Sequence, residues 1–197
     1  MRFQDRAVRI GKIIITLQMA LVFTIVNTLW AQAPVDQLPK YEKLNLPESA
    51  SSLRVMYSPS AEQRALRYRQ SLTAAVNWYS EQLKVSVPVT LAVADRDKWE
   101  KVQPADPRNV PYFMPYATAW RNSPAGNIEG LVVLPARIET FPNFDAMKVE
   151  PDLLAEAISF HEAGHIFAQA LGIGSPNPFV NELIANYFRC VFNHVNC

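Results

Sequence analysis

The stretch 160-FHEAGHIF-167 constrains the fold of this chain more than any other, because it sets three polar side chains at helical spacing in an apolar sequence. His161 and His165, two of the chain's three histidines, lie four residues apart, and Glu162 follows the first directly. On a helix, residues i and i+4 differ by about 40° in azimuth, so both imidazoles can reach one metal ion. Glu162 lies about 100° round from His161, where it can contact a water molecule at that ion without binding the metal. The stretch therefore predicts two metal ligands and a base.

The third ligand of such a site has to come from elsewhere, because a catalytic zinc ion needs three protein ligands and one open position. Downstream of His165 the chain has no aspartate, and its only glutamate is Glu182. The other downstream candidates are His194, Cys190 and Cys197. Glu182 follows a turn rich in glycine and proline at 172–178, which would fold its helix back against the first. We therefore expect Glu182 to complete the site, with Asn186 one turn later placed to orient a ligand histidine.

These residues resemble the gluzincin superfamily of HExxH zinc metallopeptidases, the thermolysin-like and aminopeptidase-like group. The resemblance rests on His161, Glu162, His165, Glu182 and, more loosely, Asn186. It implies a glutamate ligand on the helix after the motif, and an edge strand that binds extended substrate, which the segment 128–135 matches. It also implies a His or Tyr that stabilises the oxyanion of the tetrahedral intermediate. The candidates for that role, none within a matching motif, are His194, Tyr187, Tyr112 and Tyr116.

Other classes of protein are excluded by what the chain lacks. The sequence 165-HIFAQAL-171 has neither the glycine nor the third histidine of the metzincin pattern. No phosphate-binding GxxxxGKS or GxxxxGKT sequence occurs, so the chain is not one of the membrane-anchored ATP-dependent proteases that share the HEAGH string. The formal net charge is +1, and the 19 basic residues are dispersed among 18 acidic ones. We therefore expect no nucleic-acid partner.

The expected reaction is hydrolysis of an amide bond at a zinc ion. Zn²⁺ held by His161, His165 and Glu182 would acidify its bound water, while Glu162 would take the water's proton and pass it to the leaving nitrogen. A peptide or protein is the expected substrate, because the strand near 131–135 could pair with an extended chain. The alternative is an exported, non-catalytic zinc-binding module or a degenerate peptidase, although a structural site has no use for a base.

The N-terminus has the layout of an export signal. Four basic residues precede an apolar run at 13–30, and the small-residue sequence Ala-Gln-Ala follows it. Pro34 is a poor fit to signal peptidase directly after that sequence, and the apolar run is close to the length that spans a bilayer. Residues 1–33 are therefore predicted to be a signal peptide or an N-terminal membrane anchor that tethers the chain through residues 13–30. In either case the rest of the chain is predicted to lie outside the cytosol, in a periplasmic, extracellular or membrane-anchored location.

The chain's two cysteines, Cys190 and Cys197, would meet an oxidising compartment after export. A straight helix through both would separate their Cα atoms by about 10 Å, which is too far for a disulfide. Pairing therefore requires the chain to turn near Asn193; otherwise both cysteines remain free thiols.

The remaining sequence predicts one α+β domain at 59–197, preceded by a proline-spaced connector at 34–58. Apolar residues at helical or alternating spacing predict six elements, in the order helix, strand, helix, strand, helix, helix. Their ranges are about 59–84, 87–94, 95–102, 128–136, 151–172 and 179–192, and an aromatic loop fills 104–127. The predicted fold is a small mixed sheet with a zincin-like pair of C-terminal helices, the HExxH helix and the helix of Glu182.

Overall fold

The computed structural model describes residues 38–49, 53–102, 115–121, 127–137, 150–175 and 177–193, all of which belong to one compact unit, Pro34–Cys197. Five α-helices and five strands lie in these ranges, and a 3-10 turn at Pro59–Ala61 precedes the second helix. In chain order they are α1 (Leu38–Glu42), β1 (Glu48–Ser49), β2 (Arg54–Tyr57), α2 (Glu62–Leu83), β3 (Val89–Ala94), α3 (Arg96–Val102), β4 (Tyr116–Arg121), β5 (Ile128–Pro135), α4 (Pro151–Ala170) and α5 (Pro178–Asn193).

The five strands form one mixed sheet in the order β1-β2-β3-β5-β4. β2, β3 and β5 run parallel, whereas β1 and β4 run antiparallel to their neighbours at the two ends. The parallel neighbours β2 and β3 are connected through α2, because parallel strands need a crossover connection. A mixed sheet packed with helices confirms the predicted α+β class.

The central strands are buried on both faces, because each face of the sheet has its own covering helices. On the first face, Leu91 and Val93 of β3 belong to one apolar cluster with α2 and α4. On the second face, Ala92 packs with Tyr41 of α1 and Trp99 of α3. Successive strand residues point to opposite faces, so a strand covered on both sides is an unbroken apolar run.

The segment 34–58, predicted to be a connector, contributes three elements to the folded unit. α1 packs Tyr41 into the cluster on the second face, where its side chain is fully buried. β1 and β2 extend the sheet beyond β3, with Val55 paired to Leu91. The predicted element order therefore lacks one helix and two strands at its start.

The aromatic loop predicted at 104–127 contains a strand, because β4 pairs with β5 there. β4 lies at the end of the sheet, and β5 is an interior strand between β3 and β4. The prediction that the segment 128–135 is the edge strand is therefore wrong. The edge on this side of the sheet is β4, and the sequence analysis missed it because strand order depends on tertiary packing.

Several predictions concern residues outside the described ranges. These concern the leader or anchor at 1–33 with its apolar run 13–30, Tyr112, His194 and Cys197. The side chain of Cys190 is also not described, so the pairing of the two cysteines stays a prediction. Of the helices within the described ranges, none is long and apolar enough to cross a lipid bilayer.

Candidate metal centre

α4, which carries the HExxH residues, lies against the sheet, α2 and α5 with most of its surface covered. Ala163, Ile166 and Phe167 are fully buried in these contacts. Tyr79 of α2 supports the turn before the motif, since its hydroxyl donates a hydrogen bond to the Phe160 carbonyl oxygen at 3.4 Å. The Tyr79 ring also packs on Phe167, with 5.2 Å between the ring centroids. These contacts fix the axial position and the rotation of α4.

α4 ends at Ala170, two residues before the predicted end at Gly172, through a hydrogen-bonding pattern that closes the last turn. Gly172 has a φ of 69°, which favours glycine. Its N–H donates to the carbonyl oxygen of Gln169 at 3.0 Å, and the N–H of Ile173 donates to that of Ala168 at 2.8 Å. This pair of bonds is a Schellman motif, which satisfies carbonyl groups that a helix end leaves free. The chain is thereby turned sharply back toward α4.

The start of α5 is held by two asparagine side chains. Asn177 caps the helix, since its side-chain oxygen accepts a hydrogen bond from the N–H of Phe179 at 3.0 Å. Pro178 opens the helix at a position where its missing N–H costs nothing. The side-chain amide of Asn181 makes two bonds to the backbone of Ser175, at 2.8 and 2.9 Å. α5 therefore starts from a fixed position relative to the end of α4.

α4 and α5 approach each other closely at Gly164, the glycine between the two motif histidines. A Cβ atom added there would lie 3.2 Å from the carbonyl oxygen of Ala185 and 3.4 Å from the Cβ of Phe188. Ala185 is fully buried in this contact. Glu182 lies three residues before Ala185, so the close approach brings its carboxylate to the turn of α4 that carries the histidines.

Three side chains from the two helices converge, two imidazoles and one carboxylate. His161 Nε2 lies 3.0 Å from Glu182 Oε2, and His165 Nε2 lies 3.4 Å from Glu182 Oε1. The two histidine Nε2 atoms are 3.1 Å apart, with the rings at 89° to each other. The histidine side chains are 16% and 14% exposed, whereas that of Glu182 is 55% exposed. The cluster is therefore anchored on its histidine side and open to solvent on its carboxylate side.

The separations within this cluster fit a tetrahedral metal ion. Ligands at zinc bond lengths of about 2.0 to 2.2 Å stand about 3.3 to 3.6 Å apart at the corners of a tetrahedron. The two Nε2 atoms are 3.1 Å apart, and the two oxygens of Glu182 lie 3.0 Å from His161 and 3.4 Å from His165. With one ligand atom taken from each residue, all three atoms lie within 4.8 Å of one another, so small side-chain movements bring them to those edges. Two imidazole nitrogens with one carboxylate are also a donor set that zinc accepts. His161, His165 and Glu182 could therefore hold Zn²⁺ with little rearrangement.

Glu162 lies on the buried side of the motif, with 5% of its surface exposed. Burial raises the pKa of its carboxyl group to about 8; the neighbouring His161 lowers that pKa, and the charge of Glu182 raises it. A group whose pKa lies near neutrality can both accept and release a proton under ordinary conditions, which is the property of a general acid and base.

Glu182 is shifted in the opposite direction. Hydrogen bonds from His161 and then His165 hold the pKa of its carboxyl group well below its usual range, although partial burial opposes them. The carboxylate is therefore ionised at neutral pH, which is the state that binds a metal ion. The two glutamates of the site thus differ in protonation behaviour because burial has the largest effect on the pKa of Glu162, and hydrogen bonds from the histidines have the largest effect on that of Glu182.

The residues predicted to support the site are less well placed than the ligands. Within the described residues, the hydrogen bonds of the two imidazoles run to each other and to Glu182, and none joins them to Asn186. Tyr116 lies in the cluster on the second face of the sheet, where its hydroxyl pairs with that of Tyr41 at 2.8 Å, so it does not reach α4. Tyr187 is exposed on α5.

Sequence analysis missed Gln169, which lies four residues after His165 and therefore on the same side of α4. Its side-chain carbonyl oxygen accepts a hydrogen bond of 2.7 Å from the backbone N–H of Ala119 on β4. The bond ties the edge strand to the stripe of α4 formed by His161, His165 and Gln169. Regular spacing by four residues was the signal that could have identified Gln169 from the sequence.

The four residues predicted to form the site thus lie together, three as a cluster and Glu162 on the buried side of the same helical turn. Comparison of the chain with known protein families, with curated proteins and with solved structures finds no match.

Proposed function

We propose that the chain is a zinc-dependent hydrolase, a metallopeptidase that cleaves peptide bonds with Glu162 as its general base. The observation that carries this proposal is the convergence of ligand atoms from His161, His165 and Glu182 at separations of 3.0 to 3.4 Å. Two histidines and a glutamate are a common ligand set for catalytic zinc, which leaves a fourth position for a reactant. The exposed carboxylate of Glu182 supports the proposal further, because that side of the cluster is accessible to a substrate.

When bound, Zn²⁺ would polarise a water molecule and the scissile carbonyl group. Glu162 would accept a proton from the attacking water and release it to the leaving nitrogen. Its burial supports this role, because a desolvated carboxylate is a stronger base than one in water. Burial of a carboxyl group also costs folding free energy, which a purely structural zinc site would have no reason to spend at this position.

A peptide is the proposed substrate because a strand edge that no other described strand pairs with lies beside the cluster. β4 is the edge strand, and its Ala119 is bonded to Gln169, one helical turn after His165. An extended peptide can add to such an edge through main-chain hydrogen bonds. The proposal therefore assigns substrate pairing to β4, in place of the segment 128–135 that the sequence analysis favoured.

The proposal includes export, which rests on the sequence of residues 1–33 alone. A fusion of this segment to a reporter enzyme that is active only outside the cytosol tests it. Reporter activity that disappears when residues 1–33 are deleted supports export. An intact fusion that stays inactive contradicts it.

The hydrolase is tested by measuring zinc content and cleavage of a mixed peptide library. Glu162→Gln removes the base, and Glu156→Gln is the matched control, since Glu156 is an exposed residue of the same helix. All three proteins are expected to bind one zinc ion per chain, and Glu162→Gln to lose at least about a hundredfold in cleavage rate. Wild-type protein that binds zinc but cleaves nothing would instead indicate a non-catalytic zinc-binding module. Equal cleavage by Glu162→Gln would eliminate the proposed base.

A further inference from the structure

The edge strand β4 is not free along its whole length, because a side chain from α4 already occupies one of its main-chain donors. Ala119 is paired across the sheet with Gly130 of β5. In an antiparallel pair, alternate residues direct their N–H groups toward the partner strand or away from it. The Ala119 N–H donates to Gln169, so it belongs to the set that points away from β5, where an added strand would bind.

Gln169 can reach this donor because the sheet lies unusually close to α4 at this point. A Cβ atom on Gly130 would come within 2.8 Å of the Ile166 side chain. The glycine therefore lets β5, and β4 beside it, approach the helix. Gln169 lies three residues after Ile166 and is half-buried under the strand edge. Its bond to Ala119 is short at 2.7 Å and partly shielded from water.

The glutamine side chain ends in an amide, which is the same chemical group as a peptide bond. A peptide added to the edge of β4 would accept the Ala119 hydrogen bond with a main-chain carbonyl oxygen. The side-chain oxygen of Gln169 now accepts that bond. Gln169 lies on the same stripe of α4 as His161 and His165. A peptide that pairs with β4 beside the metal ligands must therefore compete with Gln169 for one hydrogen bond.

We propose that Gln169 is a substrate-mimicking residue that occupies the outer edge of β4, the last strand of the described sheet, until an extended peptide displaces it from the Ala119 N–H. This inference rests on the proposed function, since it specifies how the substrate of that same site binds. The displacement exchanges one neutral amide hydrogen bond for another, so it yields little binding free energy at this position. Gln169 thus lowers affinity for any peptide, and a peptide with several main-chain contacts to β4 overcomes it best.

Two substitutions with opposite effects test this role. Gln169→Leu keeps the side-chain volume but removes the acceptor, so the KM for a cleaved peptide should fall by about two- to tenfold with kcat unchanged. Gln169→Glu presents a charged acceptor that binds the N–H more strongly, so KM should rise. Gln82→Leu, an exposed glutamine of α2, is the control and should change neither constant. A purely structural role predicts that both Gln169 variants impair the protein in the same direction, and that outcome would overturn the proposal.

Amide hydrogen exchange at Ala119 in the full-length chain gives a readout that does not need catalysis. Gln169→Leu should speed exchange of this amide by about tenfold or more relative to wild type. Addition of the peptide library to the Glu162→Gln, Gln169→Leu double variant should restore protection. One outcome separates the two proposals in favour of Gln169. If wild type cleaves no peptide but the library still slows Ala119 exchange in the double variant, the hydrolase is refuted and the role of Gln169 stands. If wild type cleaves peptides normally but the library leaves Ala119 exchange in the double variant unchanged, the role of Gln169 is refuted and the hydrolase stands.

Discussion

Gly164 sets how closely α5 approaches α4, and its replacement by alanine is expected to weaken zinc binding without unfolding the protein. The added Cβ would lie 3.2 Å from the Ala185 carbonyl oxygen, inside the 3.4 Å at which ordinary contact begins. The clashing atom belongs to backbone, so α5 has to move by a few tenths of an ångström. Metal–ligand distances tolerate only about 0.2 Å either way, so Glu182 would be carried to the limit of what the site accepts.

In Gly164→Ala, a gain in helix propensity offsets part of the cost of crowding, so folding stability changes little. Zinc binding has no such compensation. Alanine in place of glycine favours an α-helix by about 1 kcal/mol. Crowding of a packed interface costs about 1 to 3 kcal/mol, so the metal-free protein should lose between nothing and about 2 kcal/mol of stability. Displacement of a group that supports a metal site typically weakens binding by about ten- to a hundredfold, and we expect the lower end here.

Zinc affinity is measured by competition with a chromophoric chelator, and stability by thermal unfolding of the metal-free protein. Gly130→Ala is the matched control, because the atoms nearest to its Cβ would all belong to the Ile166 side chain, at 2.8 to 3.3 Å, and not to the backbone of α5. That variant should change stability but leave zinc affinity within about a factor of two. A Gly164→Ala protein with unchanged zinc affinity, or a Gly130→Ala protein that loses as much, would refute the argument that helix spacing sets the ligand geometry.

Three further outcomes are expected. Glu182→Gln should weaken zinc binding by at least about a hundredfold in the same competition assay, because it removes the charged ligand and not merely a supporting group. A hydrogen bond from Arg67 lowers the pKa of Asp152, so the stability this carboxylate adds is present above its unfolded pKa of about 4 and lost as pH falls through the lower folded value. Urea unfolding should therefore find Asp152→Asn less stable than wild type near neutral pH and equal to it in strong acid. Burial raises the pKa of Tyr116 to about 12 and also raises that of Tyr41. The two neutral phenols therefore add their full contribution to folding stability below the unfolded pKa of about 10, and this contribution is lost as pH rises above it. In an absorbance titration these two phenols should ionise only as the protein unfolds, and ionisation of all tyrosines without unfolding would contradict this.

Periodicity in the sequence predicts the elements that carry the site. The predicted helices at 151–172 and 179–192 match α4 and α5 to within two residues at each end. Both contain apolar residues at helical spacing over four or more turns, which is where such a signal is strongest. Alternation with β-branched residues at 87–94 likewise predicts β3. The choice of Glu182 as third ligand rested on two observations: no other glutamate or aspartate follows the motif, and a turn at 172–178 would fold its helix back against the first.

Short strands and the order of strands could not be read from the sequence in the same way. β2 has four residues, too few for alternation to stand out from chance. β4 does alternate, with Tyr116, Thr118 and Trp120 separated by alanines, but it follows a proline-rich stretch that favours a loop. Which strand lies at the edge depends on where α1 to α4 cover the sheet. That information is spread over the whole fold, so the edge role was assigned to β5 and not to β4.

The packing of α4 links the accessibility of the ligands to the burial of the base. Glu162 and His161 are about 100° apart around the helix, so a rotation that exposed Glu162 would carry His161 away from Glu182. The rotation is fixed by Tyr79 on the side of α2 and by Gly164 on the side of α5. A substitution at either contact should therefore change zinc affinity and the pKa of Glu162 together. A variant that changes zinc affinity without changing the pKa of Glu162, or the reverse, would contradict this coupling.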